Sequence, residues 1–291
     1  MWKVFALMFV AMSMIPAGDT AGKLLTQNHD ASPVFVAWSR FALGSVLALP
    51  LMRADTFRLF GNWRIWLRAL LLTGGITSIQ TALQTAPLAD VFAAFFIGPI
   101  FSYLLSALLL GERVTVARSG LMALGFLGVV LVVRPGFEMS PGLPWAALAG
   151  LFYGAFLTAS RWLAPIARPG SLLVTQLCIS TLILTPFGVA DIPALTPTVS
   201  GLTLASAAFS MGGNFLLLFA YARNEAATLA PLVYLQLLSA VALGWVVFAQ
   251  LPDALTWLGL CLILGAGVTS ALMARIKTDA PRQSESPKSH N

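Results

Sequence analysis

The chain has 291 residues, 58% of them hydrophobic and only 10% charged, where ordinary soluble domains carry about 25% charged residues. So few charges cannot cover a soluble protein of this size, and a mean hydropathy of +0.85 places the chain in a membrane. The net charge of +6 then marks a cytoplasmic face rather than a nucleic-acid surface, and Cys178 and Cys261, both inside apolar runs, exclude a disulfide framework.

Taken in order, ten apolar runs match the length of about 20 residues that a membrane helix needs. They lie at 3–25, 33–53, 64–84, 88–110, 114–133, 144–164, 171–189, 202–222, 227–249 and 254–275. Turn and charge signals separate them, among them Ala54-Asp55, Gly111-Glu112-Arg113, Arg134-Pro135-Gly136 and Arg168-Pro169-Gly170. The first run holds Asp19 and Lys23 and is followed by further spans, so it reads as a retained span rather than a cleaved leader. Trp2 and Trp63 fall at span boundaries as interfacial anchors. Residues 276–291 are rich in Ser, Pro, Lys and Arg, the composition of a disordered cytoplasmic tail.

Cationic residues orient the spans. With a cytoplasmic N-terminus, Lys3, Arg53, Arg58, Arg64, Arg68, Arg113, Arg118, Arg161, Arg168, Arg223 and the cations from Arg275 onward lie on the inner side, and Arg134 alone lies outside. This asymmetry predicts a multi-pass protein of the bacterial inner membrane with both termini in the cytoplasm.

The halves repeat one another. Residues 99–112 align without gaps on 237–250, Gly120 and Gly128 then match Gly259 and Gly267, and Arg40 and Pro50 match the spacing of Gln176 and Pro186. The repeats are residues 1–140 and 141–275. Five spans is an odd number, so the second copy enters the membrane from the opposite side, the arrangement of secondary transporters with a midplane site between halves. Gly18 to Leu24 has the wrong spacing for a phosphate-binding loop, so any uphill work would come from a gradient.

Further residues carry a family resemblance. Lys23, Ser32-Pro33 with Trp38-Ser39-Arg40-Phe41, Pro99 with Gly111-Glu112-Arg113, and Val132-Val133-Arg134-Pro135-Gly136 stand in that order. In this the chain, over about residues 3–275, resembles the EamA family of the drug/metabolite transporter superfamily. The resemblance implies a ten-helix inner-membrane carrier with a central cavity, often an exporter of amino acids or other metabolites, in a family that also holds importers. The second half departs from the pattern, with Ala249-Gln250 in place of Gly-Glu and Gln176 opposite Arg40.

Charges inside spans are expensive and are therefore candidates for function. Asp19 and Lys23, four residues apart, share a helix face, and Arg40 lies at similar depth in the second span. The three read either as a gating or coupling cluster or as structural ion pairs joining spans one and two, and Asp19 is the candidate proton site. Asp90 reads as the N-cap of the fourth span, and Glu112 with Arg113 as a loop pair.

Thr73, Thr77, Gln80 and Gln84 form one face of the third span, which must meet a cavity or another helix. Phe92, Phe96, Pro99 and Tyr103 share a face of the fourth span, and Met211, Asn214 and Tyr221 one of the eighth. Tyr234 and Gln236 stand in the ninth at the repeat positions of Phe96 and Gly98, and Trp38 and Tyr153 lie deep in spans two and six. The candidate substrate contacts are therefore Thr77, Gln80, Gln84, Phe96, Tyr103, Asn214, Tyr221, Tyr234, Gln236, Trp38 and Tyr153, around a pocket of spans three, four, eight and nine. Gly120, Gly125, Gly128, Gly259 and Gly267 suit close helix packing or a homodimer face.

The expectation is an all-α polytopic membrane protein of ten transmembrane helices in two inverted five-helix repeats. It would move a small organic metabolite by alternating access, first an amino acid or amphipathic metabolite outward, alternatively a vitamin-like planar solute such as riboflavin inward, with a non-transport assembly subunit as the remaining reading. Catalysis is not expected: His29 and His290 lie outside the spans, which contain no paired carboxylates and no nucleophile motif. No cofactor or metal is implied; the partners are the substrate and the lipid bilayer, and no nucleic acid.

Overall fold

The computed structural model describes residues 2–111, 116–134, 140–163, 165–223 and 230–279, and among these every regular element is helical. Ten segments cross in chain order: Trp2–Asn28, Pro33–Ala48 with a 3-10 turn Leu49–Leu51, Trp63–Thr85, a broken fourth span of Leu88–Phe95 and Ile97–Leu110, Val116–Val133, Leu143–Leu163, Pro169–Gly188, Pro197–Arg223, a broken ninth span of the 3-10 turn Ala230–Tyr234 and Leu235–Phe248, and Ala254–Asp279. A short helix, Ala54–Leu59, links the second and third. Lys3–Asn28, Pro33–Leu51, Leu88–Leu110, Leu143–Leu163 and Pro169–Gly188 are each long and apolar enough to cross a bilayer unaided.

Local chemistry explains the starts and breaks. Ser32 caps the second span by accepting a hydrogen bond from the Phe35 N–H at 3.0 Å, with Pro33 in the first turn. Asn62 does the same for the third through the Arg64 N–H. Pro99 has no N–H to offer the carbonyl four residues back, and the fourth span breaks at Phe96, where a continuous helix was expected. The tenth span runs on to Asp279, past the expected limit of 275; residues 280–291 of the tail lie outside the described residues, as do Glu112 and Arg113. The N-cap of the fourth span is Pro87, and Asp90 sits in its first turn, where a carboxylate still favours the helix dipole.

The inversion is visible at individual contacts. Gly74 and Gly75 of the third span pack on Phe152 and Ala149 of the sixth, and Gly212 and Gly213 of the eighth pack on Met14 and Ala11 of the first. The fourth span ends at Gly111 with φ +66° and the ninth at its counterpart Ala249 with φ +53°, the left-handed C-cap repeated with alanine for glycine. The main neighbours are spans one with eight, three with six, two with seven, five with ten and four with six, each pair joining one repeat to the other. Ten crossings separate Trp2 from Asp279, so the start of the first span and the end of the tenth lie at one end of the bundle, called here the terminal end; Lys23, late in the first span, lies toward the other.

Candidate functional site

The central cavity has a volume of about 180 Å³ and is lined from the first, second, third, fourth, sixth, seventh, eighth and ninth spans. The pocket is thus wider than the expected four spans. Its rings are Phe41, Phe95, Phe96 and Tyr153, and its amides are Gln176, Asn214 and Gln236. Rings from the second, fourth and sixth spans therefore meet amides from the seventh, eighth and ninth. Phe95 lies 4.9 Å from Tyr153 between ring centroids, and Phe96 stacks on Tyr234 at 5.1 Å, distances at which aromatic pairs attract.

Asp19 and Arg40 reach one edge of the cavity and form a buried ion pair, 4% and 6% exposed, with Arg40 Nη1 donating to Asp19 Oδ1 at 2.5 Å. Arg40 Nη2 donates to the Gly18 carbonyl at 2.7 Å and Nε to Ser206 Oγ at 2.8 Å, while Gln80 Nε2 donates to Asp19 Oδ1 at 2.8 Å. All three guanidinium nitrogens are thereby engaged within the protein. This plate ties together spans one, two, three and eight.

Lys23 does not pair with Asp19. Its ammonium is fully buried and donates to the carbonyls of Leu83 and Ala86, at 2.9 and 2.5 Å, with the Phe248 ring 5.3 Å below. A lysine on the unpaired carbonyls of a helix C-terminus gains from both hydrogen bonds and dipole. It joins the first span to the end of the third, next to the Gln27 amide, which donates to the Gln84 carbonyl at 2.9 Å.

Among the candidate substrate residues, Phe96, Tyr153, Asn214 and Gln236 line the cavity, and Tyr234 backs Phe96. Gln80 is fully buried in the plate, and Gln84 binds the first span through its backbone. Thr77 is absent from the lining and its buried hydroxyl has no hydrogen-bond partner among the described residues, while Thr73 bonds to Ser180 of the seventh span at 2.8 Å, so of the polar stripe Thr73 and Gln80 serve neighbouring helices. Trp38 is not part of the lining; its indole N–H donates to Thr185 Oγ1 at 3.1 Å and its ring lies on Gly188. Tyr103 sits beside Ser119, away from the cavity. The Tyr221 side chain lies outside the described residues. Sequence reasoning missed Phe41, Phe95, Gln176 and Ser210 as lining; Gln176, an amide inside a span at the repeat position of Arg40, was the available signal.

A second recess of about 450 Å³ opens at the Lys23 end, lined by Asp90, Arg134, Gln250, Asp253 and Thr256 among others. Arg134 pairs with Asp253 and, with the Thr256 N–H, holds that carboxyl well below the usual carboxylate range. A buried layer that includes Leu83, Leu88, Val91 and Phe92 packs between spans three and four on this side.

The sequence matches the EamA-like transporter family twice, over residues 2–134 and 140–271. It is 28% identical to a riboflavin transporter of Rhizobium johnstonii over 92% of this chain and 89% of that protein. It is 29% identical to an S-adenosylmethionine uptake transporter of Rickettsia bellii, over 86% and 87%, and 30% identical to a pseudopaline exporter of Pseudomonas aeruginosa, over 79% and 83%. A crystal structure superposes with a TM-score of 0.64 at 20% identity, covering 94% of this chain and 98% of the other, which shows the shared fold. Two tandem family matches, an inverted ten-helix bundle and a central cavity together make this a multi-pass bacterial membrane protein and a small-molecule transporter, and the chain belongs to the EamA-like transporter family.

Proposed function

We propose that this chain carries a neutral, planar heteroaromatic solute of the flavin type across the inner membrane, with both termini in the cytoplasm. The observation that carries the reading is the self-neutralised plate: Asp19 and Arg40 are the charged residues among those lining the cavity, and they are bonded to each other. A zwitterionic amino acid would bring two charges and find neither a free guanidinium nor a free cation, and unpaired buried charge is costly. Aromatic faces and fixed amides suit the opposite kind of guest, one that stacks through its rings and hydrogen-bonds through its edge. The riboflavin transporter among the relatives supports this choice over amino-acid export. The distribution of lysines and arginines supports the orientation.

The test is counterflow into liposomes holding the purified chain. Labelled riboflavin exchanges saturably, and labelled amino acids do not. Replacing two wall amides, Gln176→Leu with Gln236→Leu, lowers riboflavin exchange about tenfold or more, since each hydrogen bond contributes about 0.5–1.5 kcal/mol. Saturable amino-acid exchange without riboflavin exchange would sink the proposal.

A further inference from the structure

Phe96 and Tyr234 occupy matching positions of the two repeats and stack on each other, yet their seats differ. Tyr234 lies against Gly267 so closely that a methyl group there would overlap its ring. The counterpart of Gly267 in the first repeat is Gly128, whose nearest neighbours are Gly259, Ile263 and Leu262 rather than a ring. Gly128 packs instead on Gly259: a Cβ on either would fall 2.7 or 2.6 Å from the other's carbonyl oxygen. The counterpart of Gly259 is Gly120, and nothing lies within 4 Å of a Cβ built there. Spans five and ten are therefore shut at the Lys23 end through Gly128 and Gly259. The symmetry-related pair at the terminal end, Gly120 and Gly267, does not meet.

Alternating access in an inverted repeat moves one half against the other around a fixed site, and the pseudo-two-fold relation between the halves makes the opposite-facing state the one in which their conformations are exchanged. Applied to these contacts, the exchange closes Gly120 on Gly267 and parts Gly128 from Gly259. It also lifts Tyr234 off Gly267 and seats Phe96 on Gly128. We propose that Phe96 and Tyr234 are paired gate rings of the transport cycle, each seated on its glycine in one state only, and that Gly120 is kept small for a contact made in the opposite-facing state. This explains a glycine inside a helix, where it weakens the helix, with no neighbour that requires it here. Phe96 also lines the cavity, so a stacked solute touches the part that moves. The inference rests on the carrier reading and is independent of which solute is carried.

The experiment is solute-free labelling by a small polar thiol reagent, on the full chain in vesicles with Cys178→Ser and Cys261→Ser. One reporter is Ile263→Cys, which is buried against Gly128 and becomes accessible when the Lys23 end opens. The other is Leu217→Cys, on the cavity wall. Tyr234→Ala empties the Gly267 seat and raises labelling at 263 about fivefold, with a fall at 217, as expected when one state loses its wedge. Phe96→Ala acts in the opposite direction, and so does Gly120→Val, which has room in the present state but none in the other. The double variant Tyr234→Ala with Gly120→Val returns 263 to parental labelling. Shifts of the same sign for the two ring variants, or a double variant that labels like Tyr234→Ala alone, would overturn the proposal. Because no solute is present, failure here is separate from failure of the flavin reading in counterflow.

Discussion

Arg40 shows how a charge is held inside a bilayer: every nitrogen of its guanidinium donates, to a carboxylate, a carbonyl and a hydroxyl. Removing one member of such a pair leaves the other buried without its counter-charge, a loss of about 3–5 kcal/mol. Arg40→Ala therefore lowers the thermal unfolding midpoint in detergent sharply, and Asp19→Asn combined with Arg40→Gln recovers part of it as a neutral hydrogen-bonded pair. An Arg40→Ala chain that melts with the parent would show the pair to be no structural element. That Asp19 and Arg40 lie at one depth was legible from their positions in adjacent antiparallel spans. That Lys23 turns away was not, because its long stem can reach carbonyls on another helix, and those groups leave no mark in a sequence.

Among the elements, starts and breaks have local causes, the Ser32 cap with Pro33 for the second span and the missing N–H of Pro99 for the fourth, although the fourth reads in the sequence as one continuous apolar run. The crossing points were not legible. Gly74-Gly75 and Gly212-Gly213 look like ordinary glycine pairs until Phe152, Ala149, Met14 and Ala11 are placed on them. At Gly213 a Cβ would stand 2.9 Å from the Ala11 carbonyl oxygen. Gly213→Val is expected to destabilise the chain by about 1–3 kcal/mol, the usual effect of overpacking. Gly201→Ala, with nothing within 4 Å, serves as the control and leaves stability unchanged or raises it. Equal melting of the Gly213→Val chain and the parent would refute the close crossing of the first and eighth spans.

For the molecule as a whole, the two repeats are units of sequence and not of packing. The first span lies on the eighth, the second on the seventh, the third and fourth on the sixth, and the fifth on the tenth. Each half relies on the other for part of its polar chemistry: Arg40 donates to Ser206 and Trp38 to Thr185, Thr73 bonds to Ser180, and Ser102 pairs with Thr158; in lipid an unsatisfied backbone or side-chain group costs several kcal/mol. A chain cut between residues 134 and 140 should thus yield two pieces that fail to accumulate when made singly. Made together they should restore counterflow and protease resistance. Stable accumulation of residues 1–134 alone as a folded monomer would contradict this interlocking.

Class, span positions and inverted duplication were determined by the sequence itself, because each follows from summed transfer energies of short runs, from charge counts in the loops and from an odd number of spans per copy. The tertiary structure alone decided which polar groups face the cavity. Thr77, Gln84, Trp38 and Tyr103 are polar or aromatic residues inside spans just as Asn214 and Gln236 are, and what separates the two sets is how each helix is placed and turned against its neighbours. That orientation is set by contacts with the other repeat, as distant in the chain as Gly98 from Gly150 or Gly18 from Ser210, where no local pattern can record it.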